Sequence, residues 1–297
     1  MVVAPTAEDF RSCMAETPRT VTTSAGSMEY AERGDGEPVL AVHGTLGGWD
    51  QGLVGAEFLR LNGYRVIAPS RPGYLGTPLT TGRTFAEQGD ALAALLDVLG
   101  IDTVIVYAVS GGGPAGYELA ARHPERVTKL VQVDSVCIPG PIPSRLSSIA
   151  ARDITAKAQL WLLRHATRLT LTVLLQGAGT YTRSEAAQRG TALAAIPGCT
   201  VQLEAVLAAS MDSARRRPGM RNDFKIFEPA RLDRITCPTL VLHGRHDKIV
   251  PPASADYAKA HIPDCDVHWM DGSHVAFALE AADTAPTVVV QWLTDPH

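Results

Sequence analysis

No Cys-x-x-Cys pair occurs in this sequence, although it contains five cysteines. They are Cys13, Cys137, Cys199, Cys237 and Cys265, an odd number scattered over the chain. This pattern excludes a zinc cluster of ordinary spacing and does not suit a disulfide framework. We therefore expect free, mostly buried thiols in a reducing compartment. We expect neither a metal ion nor an organic cofactor.

An excess of positive charge is also absent. The chain has 297 residues, with 27 lysines and arginines against 31 aspartates and glutamates, and its formal net charge is −4. A nucleic-acid-binding protein needs a basic surface to displace counterions, so this balance argues against such a function. Hydrophobic residues make up 45% and charged residues 20%, as in an ordinary globular protein. The expected partner is a small-molecule substrate, and a homodimer stays open.

Long apolar runs are lacking too. The nearest candidate for a membrane span, Leu160–Leu175, contains Arg164, His165 and Arg168, which disfavour insertion into a bilayer. The N-terminal segment MVVAPTAEDFRSCM has neither the basic region nor the long apolar region of a secretory signal. We expect a soluble, cytoplasmic protein that does not associate with a membrane.

Internal repeats are missing, but the chain has a rhythm of short apolar runs that end in glycine-rich or polar turns. Runs rich in Val, Ile and Leu suit strands buried on both faces of a parallel sheet. Helical stretches lie between them, such as Phe85–Leu99, which Gly100 ends. An early antiparallel hairpin is predicted over Thr20–Glu32 with a turn at Gly34–Gly36. The predicted strands are Pro38–Val42, Tyr64–Ala68, Thr103–Val109, Val127–Val133 and Thr239–His243. This alternation predicts an open, mostly parallel α/β sheet flanked by helices.

The regular succession of predicted strands is interrupted between residues 139 and 229. Helical patterns cover Ser144–Val173, Arg183–Ala195 and Val201–Ser213. We therefore divide the chain into an N-terminal core part (residues 1–138), a helical cap inserted after the sixth strand (139–229) and a C-terminal core part (230–297). Helices inserted there would lie over the carboxyl ends of the strands, where open α/β sheets bind ligands. The alternative is an appendage that only adds stability.

The sharpest chemical signal is Ser110, in the segment Tyr107–Gly113 before the helical run Pro114–Arg122. A serine at a tight strand-to-helix turn adopts a strained conformation, so the residues two before and two after it must be small. Ala108 and Gly112 meet this condition. The segment predicts a nucleophile elbow, with alanine in place of the first glycine of G-x-S-x-G. A phosphate-binding loop is the alternative, but the Gly-Lys-Ser/Thr that would support it is absent.

A serine hydroxyl becomes a good nucleophile only with a base that is itself held by an acid. Two further segments can provide this acid and this base. Asp247 lies just past the predicted strand Thr239–His243, at the same edge of the sheet as Ser110. His274 follows another short strand that ends in a small-residue turn. Together they predict the order Ser110, Asp247, His274 along the chain.

The acid has alternatives. Asp134, at the end of another predicted strand, could take the place of Asp247. Asp247 itself could be a solvated loop residue, or a metal ligand together with His243 and His246, although further ligands are not found.

The segment Val42–Gly48 is a glycine-rich turn directly after the predicted strand Pro38–Val42. Such a turn can point a backbone N–H at the serine and complete an oxyanion hole. We interpret His43 as a structural residue of this turn and not as the base.

With Ser110, Asp247 and His274 in this order, each after a predicted strand, the sequence resembles the α/β-hydrolase superfamily from about Thr20 to Leu293. The resemblance implies that Ser110 is the nucleophile, His274 the base and Asp247 the acid. It also implies an oxyanion hole from the N–H groups of Gly111 and Thr45, with Leu46 as the less favoured donor. Further shared segments are Arg71–Gly73, His123–Val127, Gly244–Asp247 and Gly272–His274. The chain departs from the family at Ser70, where aspartate is frequent, and at Ser273, where glycine is commoner.

A serine nucleophile excludes the aspartate chemistry of the related haloalkane dehalogenases and epoxide hydrolases. We expect hydrolysis of a carboxylic ester or lactone through an acyl-enzyme on Ser110. One alternative is a carbon–carbon bond hydrolase of a diketone or dienoic acid, although such relatives often carry asparagine where Val109 stands. Others are a cofactor-free lyase or haloperoxidase-like enzyme with the same triad, and a binding protein without turnover.

Within the predicted cap, several residues have two interpretations. The apolar runs around Trp161 and over Leu169–Leu175 could line an acyl pocket or pack the cap onto the core. Arg164 and Arg168 share a helix face and could meet a substrate carboxylate or be solvated. We expect Arg215–Arg217 to be an exposed loop.

Overall fold

A computed structural model describes residues 2–137, 153–225 and 230–296. Their strands form one eight-stranded sheet in the order β1-β2-β4-β3-β5-β6-β7-β8. The strands are β1 (Arg19–Thr23), β2 (Gly26–Arg33), β3 (Glu37–Val42), β4 (Tyr64–Pro69), β5 (Val104–Val109), β6 (Val127–Val133), β7 (Thr239–Gly244) and β8 (Cys265–Met270). The pairs from β4 through β8 are all parallel, whereas β2 pairs antiparallel with β1 and β4. The mostly parallel sheet is confirmed.

The predicted strands are hydrophobic along their whole length because the sheet is covered on both faces. Successive residues of a strand point to opposite faces. In β3, Val39 and Leu40 belong to different core clusters, and Ile105 and Val106 divide in the same way in β5. A strand with two buried faces cannot alternate apolar and polar residues, so its sequence is a continuous apolar run.

The described residues also form eleven α-helices. They are α1 (Ala7–Met14), α2 (Trp49–Leu61), α3 (Phe85–Leu99), α4 (Gly113–Arg122), α5 (Asp153–His165), α6 (Thr167–Ala178), α7 (Arg183–Ala194), α8 (Val201–Ala208), α9 (Ser213–Asp223), α10 (Ala253–His261) and α11 (Ala285–Thr294). The prediction for α3 is confirmed at both ends: Thr84 and Glu87 form a capping box, and Gly100 ends the helix with φ +64°. None of the described helices is both long and apolar enough to cross a membrane.

The predicted hairpin is present, but its turn was placed wrongly. β1 and β2 pair antiparallel with Thr23 opposite Gly26, so the turn lies at residues 24 and 25. The Thr23 hydroxyl accepts the Ala25 N–H and donates to the Gly26 carbonyl. The glycines at 34 and 36 instead connect β2 to β3, which do not pair because β4 lies between them. All five cysteines are free and four are buried, as expected.

Between β6 and β7, the described residues form α5 to α9. The long helix expected over 144–173 is broken at Ala166, and its residues 144–152 lie outside the described part of the chain. Both ends predicted for the cap, at residues 139 and 229, lie outside it too, so the domain boundaries stay a prediction. We refer to residues 153–223 as the inserted helices.

The expectation of an exposed loop at Arg215–Arg217 was wrong. These residues belong to α9, and the Arg216 side chain is buried. Its guanidinium forms two hydrogen bonds with the Asp50 carboxylate, at 3.0 Å and 2.5 Å. Asp50 lies in α2, far away in the chain, and so no local pattern could indicate this pairing.

A second buried ion pair connects α9 to the core. Arg71 follows β4 and is fully buried, with its Nη2 2.7 Å from Oδ2 of Asp223. The same arginine donates from Nε to the His43 carbonyl at 3.0 Å. The last turn of α9 is thus connected through one side chain to the turn after β3.

Candidate active site

Ser110 lies between β5 and α4 with φ +52°, the left-handed region that a residue with a side chain rarely adopts. The fold tolerates this strain because its neighbours are small. A methyl group on Gly112 would come within 2.3 Å of the His43 carbonyl oxygen, so only glycine fits there. This is the geometry predicted for the elbow.

The serine begins a hydrogen-bonded chain of three side chains. Ser110 Oγ is 3.0 Å from His274 Nε2, and His274 Nδ1 is 2.7 Å from Asp247 Oδ2. The other oxygen of Asp247 accepts the N–H groups of Ile249 and Val250 at 2.8 Å and 2.9 Å. A carboxylate only accepts hydrogen bonds, so Nδ1 carries the proton and Nε2 is free to accept one from the serine. The structure therefore brings together the three side chains that the sequence singled out.

The environment of His274 favours its protonated form. Burial lowers the pKa of His274, but the hydrogen bond that its Nδ1–H donates to Asp247 and the charges of Asp247 and Asp134 raise it by more, so that the net effect is a pKa above 6.5. An imidazole held in this way can take the serine proton and keep it through a reaction step.

The turn after β3 places Thr45 beside the serine. A methyl group on Gly44 would lie 3.3 Å from Ser110 Cβ, and one on Gly111 would lie 3.2 Å from the Thr45 nitrogen. In this turn, the N–H groups of Gly44 and Gly47 donate to Gln51 Oε1 and to the Gly44 carbonyl. Among the hydrogen bonds of the described residues, none is donated by the N–H groups of Thr45 and Leu46. The Thr45 N–H thus remains available close to Gly111.

Leu46 has φ +68°, and its side chain packs against Tyr74 and Met220. Thr45 lines the pocket at Ser110, whereas Leu46 does not. Of the two candidate donors in this turn, the geometry favours Thr45.

His43 is a buried structural residue of this turn. Its Nε2 accepts the Arg71 N–H at 2.9 Å, and its Nδ1–H donates to the Gly44 carbonyl at 2.7 Å. Burial, followed by the charge of Arg71, holds the pKa of His43 well below 6.5. A neutral imidazole with both nitrogens occupied suits a scaffold and not a base.

Asp134, the alternative acid, is fully buried at the end of β6 with φ +46°. Its Oδ1 accepts the Gly244 N–H at 2.8 Å, and Asp247 is the carboxylate that contacts His274. Burial and the nearby Asp247 charge raise the pKa of Asp134 to about 8.

The metal alternative receives little support from the geometry. Potential ligand atoms of Asp134, His243 and Asp247 lie within 4.8 Å of one another. However, both oxygens of Asp247 are engaged, and His243 Nε2–H donates to the Val250 carbonyl at 3.0 Å. His246, the other histidine of that alternative, lies 3.4 Å from Asp271 instead.

A pocket of about 190 Å³ opens at Ser110. Among the inserted helices, α8 contributes side chains to the lining of this pocket. The sequence analysis did not connect this helix with the site. Apolar side chains dominate the lining, among them Val109, Val133, Leu203, Val206 and Phe277, and its polar members include Thr45, Gln51, Tyr107, Asp134 and Gln202. Lysine and arginine are absent from the lining in the described part of the chain.

The residues proposed from sequence to line an acyl pocket lie elsewhere. Leu163, Leu171 and Leu175 belong to a buried cluster that also contains Leu203 and Leu279, but these three do not line the pocket, and Trp161 is mostly exposed. The packing interpretation therefore holds for the buried members of this set.

The two arginines proposed to meet a substrate carboxylate also lie away from the pocket. Arg164 Nε is 2.7 Å from Glu204 Oε2, and Arg168 is exposed. Neither belongs to the pocket lining.

A family model described as alpha/beta hydrolase fold matches residues 37–281. The chain belongs to this family. The match includes the elbow serine, the acid loop and the histidine loop, and it spans the inserted helices. The resemblance inferred from the motifs is thus confirmed at the level of the family.

Comparison with individual proteins agrees with this membership. An alpha/beta hydrolase fold protein from Nakamurella multipartita is 34% identical, with a TM-score of 0.79 over 93% of this chain and 97% of that one. The uncharacterized hydrolase YcgS of Bacillus subtilis is 29% identical over 89% of this chain and 94% of its own. The 2-hydroxymuconate semialdehyde hydrolase of Pseudomonas putida is 28% identical over 85% of each chain. Family and names together support a hydrolase, without indicating its substrate.

Proposed function

We propose that this chain is a serine hydrolase that cleaves a carboxylic ester or lactone of a small, uncharged organic substrate. The observation that carries the proposal is the hydrogen-bonded chain Ser110–His274–Asp247 at the mouth of a mainly apolar pocket to which none of the described lysines and arginines contributes.

In the proposed reaction, His274 Nε2 takes the Ser110 hydroxyl proton while Oγ attacks the carbonyl carbon. The N–H groups of Gly111 and Thr45 hold the negative oxygen that forms. The tetrahedral intermediate collapses to an acyl-enzyme, and His274 gives its proton to the leaving alkoxide. A water then attacks the acyl group with His274 as base, and the acid and free serine are released. Asp247 maintains the tautomer of His274 throughout.

The pocket supports an ester or lactone over the dienoic acid of a carbon–carbon bond hydrolase. A dienoic acid would place a carboxylate in a cavity whose lining offers no lysine or arginine among the described residues. Burial of an ion without a partner is strongly unfavourable. Val109 before the nucleophile supports the same choice.

The inserted helices support the proposal of a cap over the active site. From α8, Gln202, Leu203 and Val206 line the pocket, which a mere appendage would not do. From α9, Arg216 and Asp223 pair with buried core residues. We propose that this cap encloses the acyl group while α9 keeps it attached to the core.

Intact-mass labelling with a fluorophosphonate probe tests the nucleophile. Wild type should gain one adduct and Ser110→Ala none. The matched control is Ser135→Ala, which removes another buried serine hydroxyl, one that donates to the Ala108 carbonyl. This variant should label like wild type. Turnover of Ser110→Ala should fall by roughly 10³-fold or more, and wild-type turnover in that variant would contradict the assignment.

A substrate panel tests the bond and the charge. We expect hydrolysis of short neutral p-nitrophenyl esters and small lactones, and weak hydrolysis of esters of equal length with a terminal carboxylate. Faster cleavage of a dienoic acid than of any neutral ester would favour the carbon–carbon hydrolase instead. Labelling without turnover of either substrate class would favour the lyase or binding alternatives.

A further inference from the structure

The short segment Ala178–Tyr181, at the end of α6 in the inserted helices, contacts both loops that carry the acid and the base. The Ala178 carbonyl accepts the N–H groups of Lys248, at 3.0 Å, and His274, at 3.3 Å. Thr180 donates its N–H to the His246 carbonyl at 2.8 Å, and Gly179 forms an antiparallel bridge with Asp247. One segment of the insertion thus connects two loops of the core that are separate in the chain.

A side-chain network strengthens this connection at the histidine loop. Glu280 has a side chain only 3% exposed. Its Oε2 accepts both the N–H of Ser273, at 2.8 Å, and the Ser273 hydroxyl, while Oε1 accepts the hydroxyl of Tyr181. Ser273 immediately precedes His274 and is the position where this chain departs from the commoner glycine. The hydroxyl that the departure introduces is therefore part of the link to the insertion.

The charge of Glu280 has a partner. Arg189 of α7 lies 3.9 Å from Oε1 of Glu280, and its guanidinium stacks 4.6 Å from the centroid of the Tyr181 ring. Its other contact is with the Asp271 carboxylate at 3.0 Å. A buried carboxylate with three donors and a nearby cation is a satisfied and therefore rigid centre.

We propose that Glu280 and Tyr181 are positioning residues, which act through Ser273 to hold His274 Nε2 on the Ser110 hydroxyl. This inference rests on the proposed function. The imidazole must be positioned to within a fraction of an ångström, because a misplacement of about 1 Å can lower the reaction rate by 10²-fold. Neither residue belongs to the pocket lining or touches Ser110, so their loss should change kcat and not substrate binding.

The test compares Glu280→Gln, Tyr181→Phe and the double variant in ester hydrolysis. Glutamine has only one acceptor oxygen, so either Ser273 or Tyr181 loses its acceptor, and kcat should fall by about 10- to 100-fold while KM stays within about twofold. Loss of the single Tyr181 hydroxyl should have a smaller effect. In the double variant the losses should not multiply, because both substitutions disturb one network. The rate of fluorophosphonate labelling should fall in parallel with kcat.

Glu185→Gln is the matched control. Glu185 lies close to Tyr181 but caps α7 through Thr182 and is exposed. Its kcat should equal that of wild type. Ser273→Ala provides a second, milder variant in case Glu280→Gln does not fold, and its kcat should also fall at constant KM.

A Glu280→Gln protein with wild-type kcat and a lowered melting temperature would overturn the inference, since Glu280 would then only add stability. Multiplicative losses in the double variant would also overturn it. The downfield proton resonance of His274 Nδ1–H gives a readout without substrate. Its broadening or shift in Glu280→Gln supports positioning even if wild type hydrolyses no ester, and an unchanged resonance refutes it. Absence of wild-type labelling and hydrolysis would contradict the proposed function alone.

Discussion

Replacement of Asp223 by asparagine leaves the Arg71 guanidinium buried without its counter-charge. Arg71 has no exposed surface, and the Asp223 side chain is 5% exposed. The pair has two hydrogen bonds, at 2.7 Å and 3.1 Å, and the Tyr74 hydroxyl donates to the same carboxylate at 2.6 Å. Burial lowers the pKa of Arg71, but Asp223 and Tyr74 raise it by more, so the guanidinium is charged in the native protein.

The expected loss follows from this burial. Removal of one partner of a buried ion pair typically costs about 3–5 kcal/mol, because the other charge stays desolvated and unpaired. The carbonyl of His43 and the amide oxygen of Gln88 still accept from Arg71, at 3.0 Å and 3.1 Å, but neither carries a charge. We therefore expect Asp223→Asn to lower the free energy of unfolding by about 3–5 kcal/mol.

Urea unfolding at pH 7, compared at equal m-values, measures this loss. The control is Asp233→Asn, which breaks the surface pair with Arg231, where both side chains are at least 60% exposed. Its unfolding midpoint should match that of wild type. The double replacement Arg71→Met with Asp223→Leu should recover stability relative to Asp223→Asn, because an apolar pair leaves no buried charge. An Asp223→Asn protein as stable as Asp233→Asn would refute the reasoning.

Three further outcomes follow from the site. The ratio kcat/KM should rise with pH as His274 loses its proton, with a midpoint above 6.5, because Asp247 raises the pKa of His274 by more than burial lowers it. Asp247→Asn should move that midpoint to lower pH, and a move to higher pH would contradict this prediction. Asp134→Asn should be more stable than wild type at pH 8, by an amount on the order of a few kcal/mol, but not at pH 4. The reason is that the raised pKa of Asp134, about 8, makes the wild type lose stability as the pH rises from 4 to 8. Unfolding midpoints of both proteins at both pH values measure the difference, and an equal difference at the two pH values would refute the prediction. Gly112→Ala should abolish folding or lower the melting temperature strongly, because its methyl would meet the His43 carbonyl at 2.3 Å; a wild-type thermal scan would contradict the elbow geometry.

The secondary structure of the core was predictable because its signals are local. The apolar runs that became β3 to β7 are continuous since both faces of the sheet are buried, and α3 has its cap and its terminating glycine in sequence. The elbow was predictable for a similar reason, since the space around Ser110 limits the residues two positions away.

The inserted helices were harder to predict because their partners are distant. Arg216 lies in a run of three arginines that suits an exposed loop, and only Asp50 in α2 makes it a buried residue. The apolar residues around Trp161 and over Leu169–Leu175 had two interpretations for the same reason, because which side of a helix meets the core depends on packing between elements. The Gln202, Leu203 and Val206 side chains have no local feature that marks them as pocket lining.

The sequence alone determined the fold family, the order Ser110, Asp247, His274, and the small residues that make the serine turn sterically feasible. Each of these depends on residues that are close in the chain or on backbone geometry within one turn. Only the tertiary structure decided between Asp247 and Asp134 as the partner of His274, and between Thr45 and Leu46 beside Gly111. Those choices depend on distances between loops at the ends of different strands, and such distances are set by the packing of the whole sheet.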